Sequence, residues 1–403
     1  MKRQDDTITT NQNEIKDLTC DYFEDLYDIK PINRNHQDTL LRHITKSVSP
    51  QLKRLIDGPI APEEVSYAIK CSGNNKSPGP DGFTAEYYKQ FHDKLVPILT
   101  KIFNRCEHDI PKSMKEAVIC LIPKKNDLEL LKNWRPISLP NVDYKILTKI
   151  INNRMKKALP LILHMDQKGF VPKRSLDDAV LKIKLLMDYC KRTNLPDYLL
   201  FLDQEKAFDR VDRDMMHKII AKFDFPPRIR NMIKAIYRST PAKININGSL
   251  TRPITLISGV RQGCPLSPSL FALCIETLSN MIRSHPTLCG IHVPGVGSFK
   301  ISTFADDTTI VIPTNIYPDN RYLNTVLELL NIYENGTGAK ANVSKTELFP
   351  IGPNTHNPND ISHPDILRLP YNAQVRFLGV YLTNTELDDN IWNERLTKLK
   401  NNL

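Results

Sequence analysis

The 403-residue sequence lacks several features that would assign it to a membrane, to the cell exterior or to a zinc-binding class. It contains no run of about 18 apolar residues, so a membrane-spanning helix is not expected. Its first residues include acids and no apolar segment, which argues against a secretory signal or a transit peptide. The eight cysteines form no CxxC pair and no zinc-finger spacing with histidine, so we expect reduced thiols and no structural zinc.

The sequence does contain enough apolar residues for real cores, together with an excess of positive charge. Apolar residues make up 40% of the chain, which excludes a disordered or fibrous protein. The length allows two or three compact units. A net charge of +10 is typical of a protein with a polyanionic partner such as nucleic acid, although a generally basic surface would give the same value.

Local patterns predict an α+β protein in which helices alternate with strands. The run "DYLLFLD" predicts a buried strand, after which Asp209 or Asp212 caps a helix. Two hairpins are predicted, one with its turn at Asn247 and Gly248 and one in "FKISTFADDTTIVIP". The run "FLGVYL" predicts a single strand. Antiparallel hairpins mixed with amphipathic helices indicate a sheet backed by helices.

Three carboxylates stand where a buried strand would ordinarily be apolar. Asp306 and Asp307 interrupt the second hairpin, and Asp203 follows the apolar run "YLLFL". Turn formation or helix capping is the ordinary explanation for such residues. Adjacent negative charges with buried flanks are costly without a cation, and carboxylate oxygens are the ligands that Mg²⁺ prefers. The pattern therefore favours a divalent metal site used in phosphoryl transfer.

A series of motifs between about Pro59 and Leu382 resembles one polymerase family. In order they read "KSPGPDGFTAEYYKQF", "CLIPKKND", "NWRPISL", "DQKGFVPKRSLDDAV", "FLDQEKAFDRV", "SGVRQGCPLSPSLFALCIETL", "FADDTTI", "GTGAKANVSKTELFPIG" and "FLGVYL". Their order is similar to that of the fingers and palm motifs of reverse transcriptases from non-LTR (LINE-like) retrotransposons. The resemblance implies an RNA-directed DNA polymerase with a right-hand fold, whose antiparallel palm sheet is backed by helices.

The resemblance also implies a division of the chain into domains. We expect an N-terminal helical extension (1–58), fingers (59–197), a palm with the catalytic carboxylates (198–384) and the start of a truncated thumb (385–403). No endonuclease segment and no Cys/His-rich knuckle is recognisable, so a fragment of a longer reading frame is expected.

Roles for individual residues follow from matching these motifs. Asp203 and Asp306 resemble the two metal-bridging carboxylates, and Asp307 resembles the third member of the triad. Lys345 in "NVSKT" resembles the lysine that can protonate the leaving pyrophosphate. Ala339 departs from the leucine of many relatives, which affects packing and not chemistry. The implied cofactor is Mg²⁺, as two ions, with Mn²⁺ as a possible substitute.

The implied nucleotide site combines residues from several motifs. Phe208 resembles the ring that would clash with a 2′-hydroxyl and so select dNTPs, whereas its spacing alone would indicate a core residue. Gln262 and Gly263 resemble the loop that faces the nucleotide. Arg135 and Lys124 are assigned to the triphosphate. Two alternatives stay open for Lys124, which are a plain surface lysine or replacement by the neighbouring Lys125.

The implied partners are an RNA template, a DNA primer and dNTPs, with the element RNA bound as a ribonucleoprotein and no membrane. Lys173 and Arg174 are expected along the template backbone, where binding would weaken with salt. An intracellular location, in nucleus and cytoplasm, is expected. A noncatalytic RNA-binding remnant is the main alternative, and a maturase-like polymerase lacks the basic domain that should follow.

Overall fold

The computed structural model describes residues 1–3, 5–124, 127–295, 297–314, 319–353 and 361–385. The helices in this part of the chain are α1 (Gln12–Tyr27), α2 (Arg34–Arg42), α3 (Pro50–Ile56), α4 (Pro62–Lys70), α5 (Ala85–Gln90), α6 (His92–Arg105), α7 (Lys112–Lys115), α8 (Val142–Lys156), α9 (Leu159–Ile162), α10 (Leu176–Arg192), α11 (Arg213–Lys222), α12 (Pro227–Tyr237), α13 (Ser267–Ser284) and α14 (Arg321–Thr337). Short 3₁₀ helices span Leu131–Asn133 and Val343–Lys345.

The strands alternate with these helices along the chain. They are β1 (Ala117–Pro123), β2 (Trp134–Pro140), β3 (Asp197–Leu202), β4 (Thr240–Ile246), β5 (Ser249–Leu250), β6 (Ile254–Leu256), β7 (Ile291–Val293), β8 (Gly297–Phe299), β9 (Ile301–Phe304), β10 (Asp307–Ile312), β11 (Glu347–Ile351), β12 (Leu367–Arg368), β13 (Gln374–Phe377) and β14 (Val380–Thr383). The result is a mixed α/β fold, as predicted at the level of class.

The first sheet combines strands that are far apart in sequence. Its order is β2-β1-β4-β5, with β6 also paired to β4, and β1 runs parallel to β4. Helix α1 covers one face, where Phe23 and Leu26 pack against Ile119 and Ile244 in one apolar cluster. The N-terminal helix is therefore part of the core around this sheet. The sheet also crosses the predicted boundary between residues 197 and 198, and the division into fingers and palm stays a prediction.

The second sheet, of order β12-β11-β3-β10-β9, is apolar on both faces. Leu200 and Leu202 of β3 belong to the large core that contains α13 and α14. The intervening Leu199 belongs to a separate core with Val180 and Ile183 of α10. Successive side chains of a strand point to opposite faces, so a strand covered on both sides must be apolar throughout. This explains why "YLLFL" has no polar alternation.

Several local predictions are confirmed by the structure. Asp212, and not Asp209, caps α11 by accepting a hydrogen bond from the amide of Met215 at 2.7 Å. The turn between β4 and β5 lies at Asn247 and Gly248, whose φ values are 50° and 80°. Both positive angles are those of a type I′ hairpin turn.

The prediction of one strand in "FLGVYL" is wrong. The run folds back on itself, because Leu378 (φ 48°) and Gly379 (φ 84°) form the turn between β13 and β14. The predicted thumb residues beyond Thr385 lie outside the described residues. Within the described part of the chain, every helix is too short or too polar to cross a bilayer.

Candidate active site

The three predicted carboxylates converge at one end of the second sheet. β10 pairs with β3 so that Thr308 faces Leu202, which places Asp307 beside the end of β3 and beside Asp203. β9 and β10 are joined by a two-residue turn at Ala305 and Asp306. Ala305 has a φ of 59°, a conformation that is uncommon for a residue with a Cβ. Such strained turns are often found at functional sites.

The carboxylates face two neighbouring cavities. Asp203 and Asp306 line a cleft of about 850 Å³, whereas Asp307 lines a smaller cavity of about 140 Å³ on the other side of Asp203. Partial burial and, to a smaller extent, the negative charges of Asp306 and Asp203 together raise the pKa of Asp307 to about 6. Partial burial likewise raises the pKa of Asp203, which Lys345 opposes. Burial and mutual repulsion therefore both disfavour the charged forms of Asp203 and Asp307 in the absence of a bound cation.

This donor set fits a hard divalent cation that is completed by substrate. Among the described residues, no three His, Cys, Asp or Glu side chains already lie close enough to form a metal cage. Magnesium commonly takes only one or two carboxylates from the protein, with water and substrate phosphates as its other ligands. Asp203 and Asp306 supply such a pair in the large cleft. A bound cation would reduce the electrostatic repulsion between these two carboxylates.

Several cations line the same cleft, and among them are the three that the sequence predicts at the site. Lys124 follows β1, Arg135 lies on β2, and Lys345 ends the second 3₁₀ helix. Burial lowers the pKa of Lys124, and the positive charges of Arg135 and Lys345 lower it further, which shows that the three groups are neighbours. Clustered cations repel one another unless an anion lies between them. The cleft is thus prepared for a highly charged anion such as a triphosphate. Lys125 lies outside the described residues.

The loop that contains Lys345 is bound to the strand that ends at Asp203. The amide of Asn342 donates to the carbonyl of Asp203 at 2.8 Å. The amide of Glu205 donates to the carbonyl of Lys340 at 2.8 Å. These bonds hold Lys345 at a fixed place beside Asp203.

Phe208 forms part of the floor of the cleft and is fixed by two other rings. It stacks on Phe271 of α13, with ring centroids 4.7 Å apart and planes 11° apart. Phe170 meets it edge-on at 6.2 Å. The ring is half-buried and still lines the cleft, so one side of it packs while another remains reachable. Both predicted descriptions, a core residue and a residue facing the nucleotide, are compatible with this position.

The loop that contains Gln262 and Gly263 is pressed against β2. The carbonyl of Gln262 accepts a hydrogen bond from the amide of Ser138 at 2.8 Å. Gly263 has a φ of 105°, and a Cβ built on it would overlap the carbonyl oxygen of Ser138. Glycine is therefore required here both by the backbone angle and by the close approach of β2.

Gly263→Ala is expected to raise the KM for dNTP, the substrate that the motif resemblance implies, roughly 3- to 10-fold and to lower the melting temperature, because relieving the overlap moves the loop that holds Gln262. Gly248→Ala is the matched control, since Gly248 also has a positive φ of 80° but has open space around it. The measurements are single-nucleotide kinetics and a thermal melt. A KM that changes equally in both variants would mean that the contact with Ser138 has no role.

Asp209 is a site residue that the sequence analysis missed. Its side chain is 2% exposed and lies at the back of the cleft. Gln262 donates from Nε2 to Asp209 Oδ2 at 2.9 Å, and the Tyr27 hydroxyl donates to Oδ1 at 3.0 Å. Burial outweighs the opposite effect of these two donors, so that the pKa of Asp209 is raised to about 6. The carboxylate therefore anchors the Gln262 side chain.

The segment that precedes α10 supports the carboxylate turn. The amide of Lys168 donates to the carbonyl of Thr303 in β9 at 2.8 Å, which extends the second sheet by one short segment. Gly169 packs so closely on the turn that a Cβ would overlap the backbone nitrogen of Ala305. The motif "QKGF" therefore acts through its backbone and through Phe170.

Lys173 and Arg174 differ in their exposure and in their hydrogen bonds. Lys173 is exposed, whereas the guanidinium of Arg174 donates to four backbone carbonyls. The acceptors are Pro160 (3.1 Å), Leu163 (3.1 Å), His164 (2.5 Å) and Gln167 (2.6 Å). Through these hydrogen bonds the guanidinium of Arg174 stabilises the turn after α9. A template contact stays a prediction for both residues, and Lys173 is the better placed of the two.

Comparisons with known proteins agree with the motifs. Residues 122–382 match the family described as "Reverse transcriptase (RNA-dependent DNA polymerase)". The chain is 34% identical over 388 residues to the "Transposon TX1 uncharacterized 149 kDa protein" of Xenopus laevis, covering 95% of this chain and 29% of that protein. It is 29% identical over 290 residues to the "Retrovirus-related Pol polyprotein from type-1 retrotransposable element R2" of Popillia japonica, covering 71% and 39% respectively.

A further relative is the "Probable RNA-directed DNA polymerase from transposon BS" of Drosophila melanogaster, which is 26% identical over 305 residues. That match covers 70% of this chain and 32% of the relative. The chain therefore spans well under half the length of the curated relatives it matches.

Proposed function

The chain belongs to the reverse transcriptase (RNA-dependent DNA polymerase) family, and from this premise we propose that it extends the 3′ end of a DNA primer on an RNA template. The observation that carries the proposal is the cleft in which Asp203 and Asp306 face Lys124, Arg135 and Lys345. An RNA-binding surface alone does not need carboxylates directed at a polyanion. The names of the relatives support placing it in a non-LTR retrotransposon.

In this proposal the cations of the cleft bind the incoming nucleotide. Arg135 offers a planar fork to the phosphates, while Lys124 acts as a point charge. Lys345 donates a proton to the oxygen of the leaving pyrophosphate, since it is held beside Asp203. Phe208 fills the space that a 2′-hydroxyl would need, and Gln262 orients the sugar or base.

Asp203 and Asp306 would hold the divalent metal, with Asp307 as a third carboxylate. Two Mg²⁺ ions, or Mn²⁺ in their place, would supply activation of the primer hydroxyl and charge stabilisation at the leaving group. Negative carboxylates alone would disfavour an alkoxide beside them, so deprotonation of the primer hydroxyl would depend on the positive charge of the bound metal.

The nucleic-acid partners follow from the reaction class. The template and primer would lie across the cleft, with Lys173 along the template backbone and sequence read by base pairing. A net charge of +10 favours such a partner, and its binding would weaken with salt. Assembly with the element RNA, and a location in nucleus and cytoplasm, belong to the same proposal.

Purified chain is expected to extend a DNA primer on an RNA template when Mg²⁺ and dNTPs are present, and to add the nucleotide that each template base specifies. The measurement is gel analysis of products with four templates that differ at the first unpaired base. Asp203→Asn should remove the products, because it neutralises a carboxylate that faces the cleft.

The alternative is a noncatalytic RNA-binding protein with the same fold. Salt-dependent binding of primer–template without any templated addition, in Mg²⁺ and in Mn²⁺, would support that alternative and contradict the proposed activity.

A further inference from the structure

The first helix of the chain is joined to the proposed nucleotide site through one residue, Tyr27. Tyr27 is the last residue of α1 and is 5% exposed. Its backbone carbonyl accepts a hydrogen bond from the amide of Ser258 at 3.0 Å. Its hydroxyl donates to Asp209 Oδ1 at 3.0 Å. Tyr27 thus contacts two separate segments that both reach the cleft.

Those two segments are themselves held together by backbone hydrogen bonds. The amide of Val260 donates to the carbonyl of Phe208, and the amide of Gly259 donates to the carbonyl of Val211. Both distances are 2.8 Å. Gly259 has a φ of 74°, and a Cβ there would lie 2.6 Å from the carbonyl oxygen of Asp209. The position of Phe208 and the position of Gln262 therefore depend on the same small set of contacts.

Asp209 lies at the centre of this arrangement and is costly to bury. An ionised carboxylate at 2% exposure is tolerated only when it accepts hydrogen bonds. It receives one from Tyr27 and one from Gln262, on different oxygens. An amide has two N–H groups, so the bond to Asp209 fixes the plane of the Gln262 side chain and leaves its other N–H for the cleft.

A second contact joins α1 to the cleft. Lys206, which lines it, places its Nζ 4.8 Å from the ring centroid of Tyr22 and 5.7 Å from that of Phe23. Burial lowers the pKa of Lys206 to about 8. The rings of α1 thus stabilise a positive charge at the edge of the cleft as well as the carboxylate behind it.

We propose that Tyr27 is a positioning residue for nucleotide addition: its hydroxyl orients the Asp209 carboxylate, which orients the Gln262 amide toward the nucleotide. This inference rests on the proposed function and extends it, because it makes the N-terminal helix a part of the nucleotide site. The effect should fall on nucleotide binding and not on the carboxylates that hold the metal.

Tyr27→Phe is the direct test, because it removes only the hydroxyl and keeps the ring packing. The KM for dNTP is expected to rise roughly 5- to 10-fold while kcat changes less than about twofold, since one donor to a buried carboxylate is lost. In a Gln262→Ala background the same change should add nothing, because both act through one chain of hydrogen bonds.

Tyr322→Phe is the matched control. Tyr322 is a buried residue of α14 that does not line the cleft. Its hydroxyl donates to the carbonyl of Cys289 at 2.6 Å. It should lower thermal stability by a similar amount and leave the KM for dNTP unchanged. If Tyr27→Phe fails to fold, Asp209→Leu tests the same chain of bonds with Tyr27 intact, because leucine has a similar shape but neither a donor nor an acceptor, and the same rise in KM is expected.

Hydrogen–deuterium exchange separates a failure of this inference from a failure of the proposed function. The amides of Ser138 and Val260 should exchange faster in Tyr27→Phe than in wild type or in Tyr322→Phe, whether or not the chain extends primers. Unchanged exchange, an unchanged KM in an active enzyme, or additive effects with Gln262→Ala would each overturn the role of Tyr27. Absence of extension by wild type would overturn the proposed function alone.

Discussion

Asp306→Asn is expected to reduce primer extension by on the order of 10³-fold or more while the protein stays folded. A lost metal contact in a phosphoryl-transfer site is worth several kcal/mol in the transition state, and about 4 kcal/mol corresponds to a factor of 10³. Asparagine has nearly the same shape as aspartate, and Asp306 is exposed at the turn between β9 and β10, so packing should not change.

The measurement is the single-turnover rate of nucleotide addition at saturating primer–template, with a thermal melt of each variant. Asp38→Asn provides the control, because Asp38 is exposed on α2 and its loss changes the net charge equally. Raising the Mg²⁺ or Mn²⁺ concentration should restore part of the rate only if the defect is in metal binding. Extension at the wild-type rate would remove Asp306 from the proposed mechanism.

The carboxylates could be found from sequence because their signal is local. Asp306 and Asp307 interrupt a run with apolar flanks, where two adjacent charges are costly without a cation, and Asp203 follows another apolar run. The β3–β10 pairing that brings Asp203 beside Asp307 follows from two apolar runs in one sheet. The sequence pattern did not distinguish the two adjacent aspartates. In the structure, Asp306 lines the large cleft, whereas Asp307 lines the smaller cavity.

Asp209 was missed for the opposite reason. A single carboxylate after a strand is most often a helix cap, and the sequence offered both Asp209 and Asp212 for that role. The partner that identifies Asp209 as a site residue, Tyr27, lies 182 residues away. No period or spacing connects two such positions, so only the packing of α1 against the first sheet brings them together.

Two further differences have similar physical origins. The turn at Leu378 and Gly379 was not predicted, because a leucine with a positive φ is uncommon. The glycine was the one residue in this run that is typical of a turn. Arg174 is expected along the template from the motif resemblance, and the structure adds a role that the motif did not indicate, because its guanidinium donates to four backbone carbonyls in and after α9. Charge in a sequence does not tell whether the charge is used inside or outside the fold.

Phe208→Ala is expected to lower the preference for dGTP over GTP by about 10- to 100-fold, measured as the ratio of their kcat/KM values. The reason is steric. Phe271 stacks on the ring and Phe170 meets its edge, so the ring cannot easily move aside to admit a 2′-hydroxyl. Alanine would leave open the space that the ring occupies on the floor of the cleft.

The same substitution removes packing, which must be separated from the change in selectivity. Losing a phenylalanine from a core costs about 3–5 kcal/mol when it is fully buried, and less for a half-buried ring. Phe103→Ala is the matched control, because Phe103 is fully buried on α6 and does not line the cleft. It should lower stability without moving the ratio. Phe208→Val keeps more packing and should move the ratio in the same direction. If the ratio stays constant in both Phe208 variants, Phe208 serves only as a core residue, and selection against ribonucleotides must come from elsewhere in the cleft.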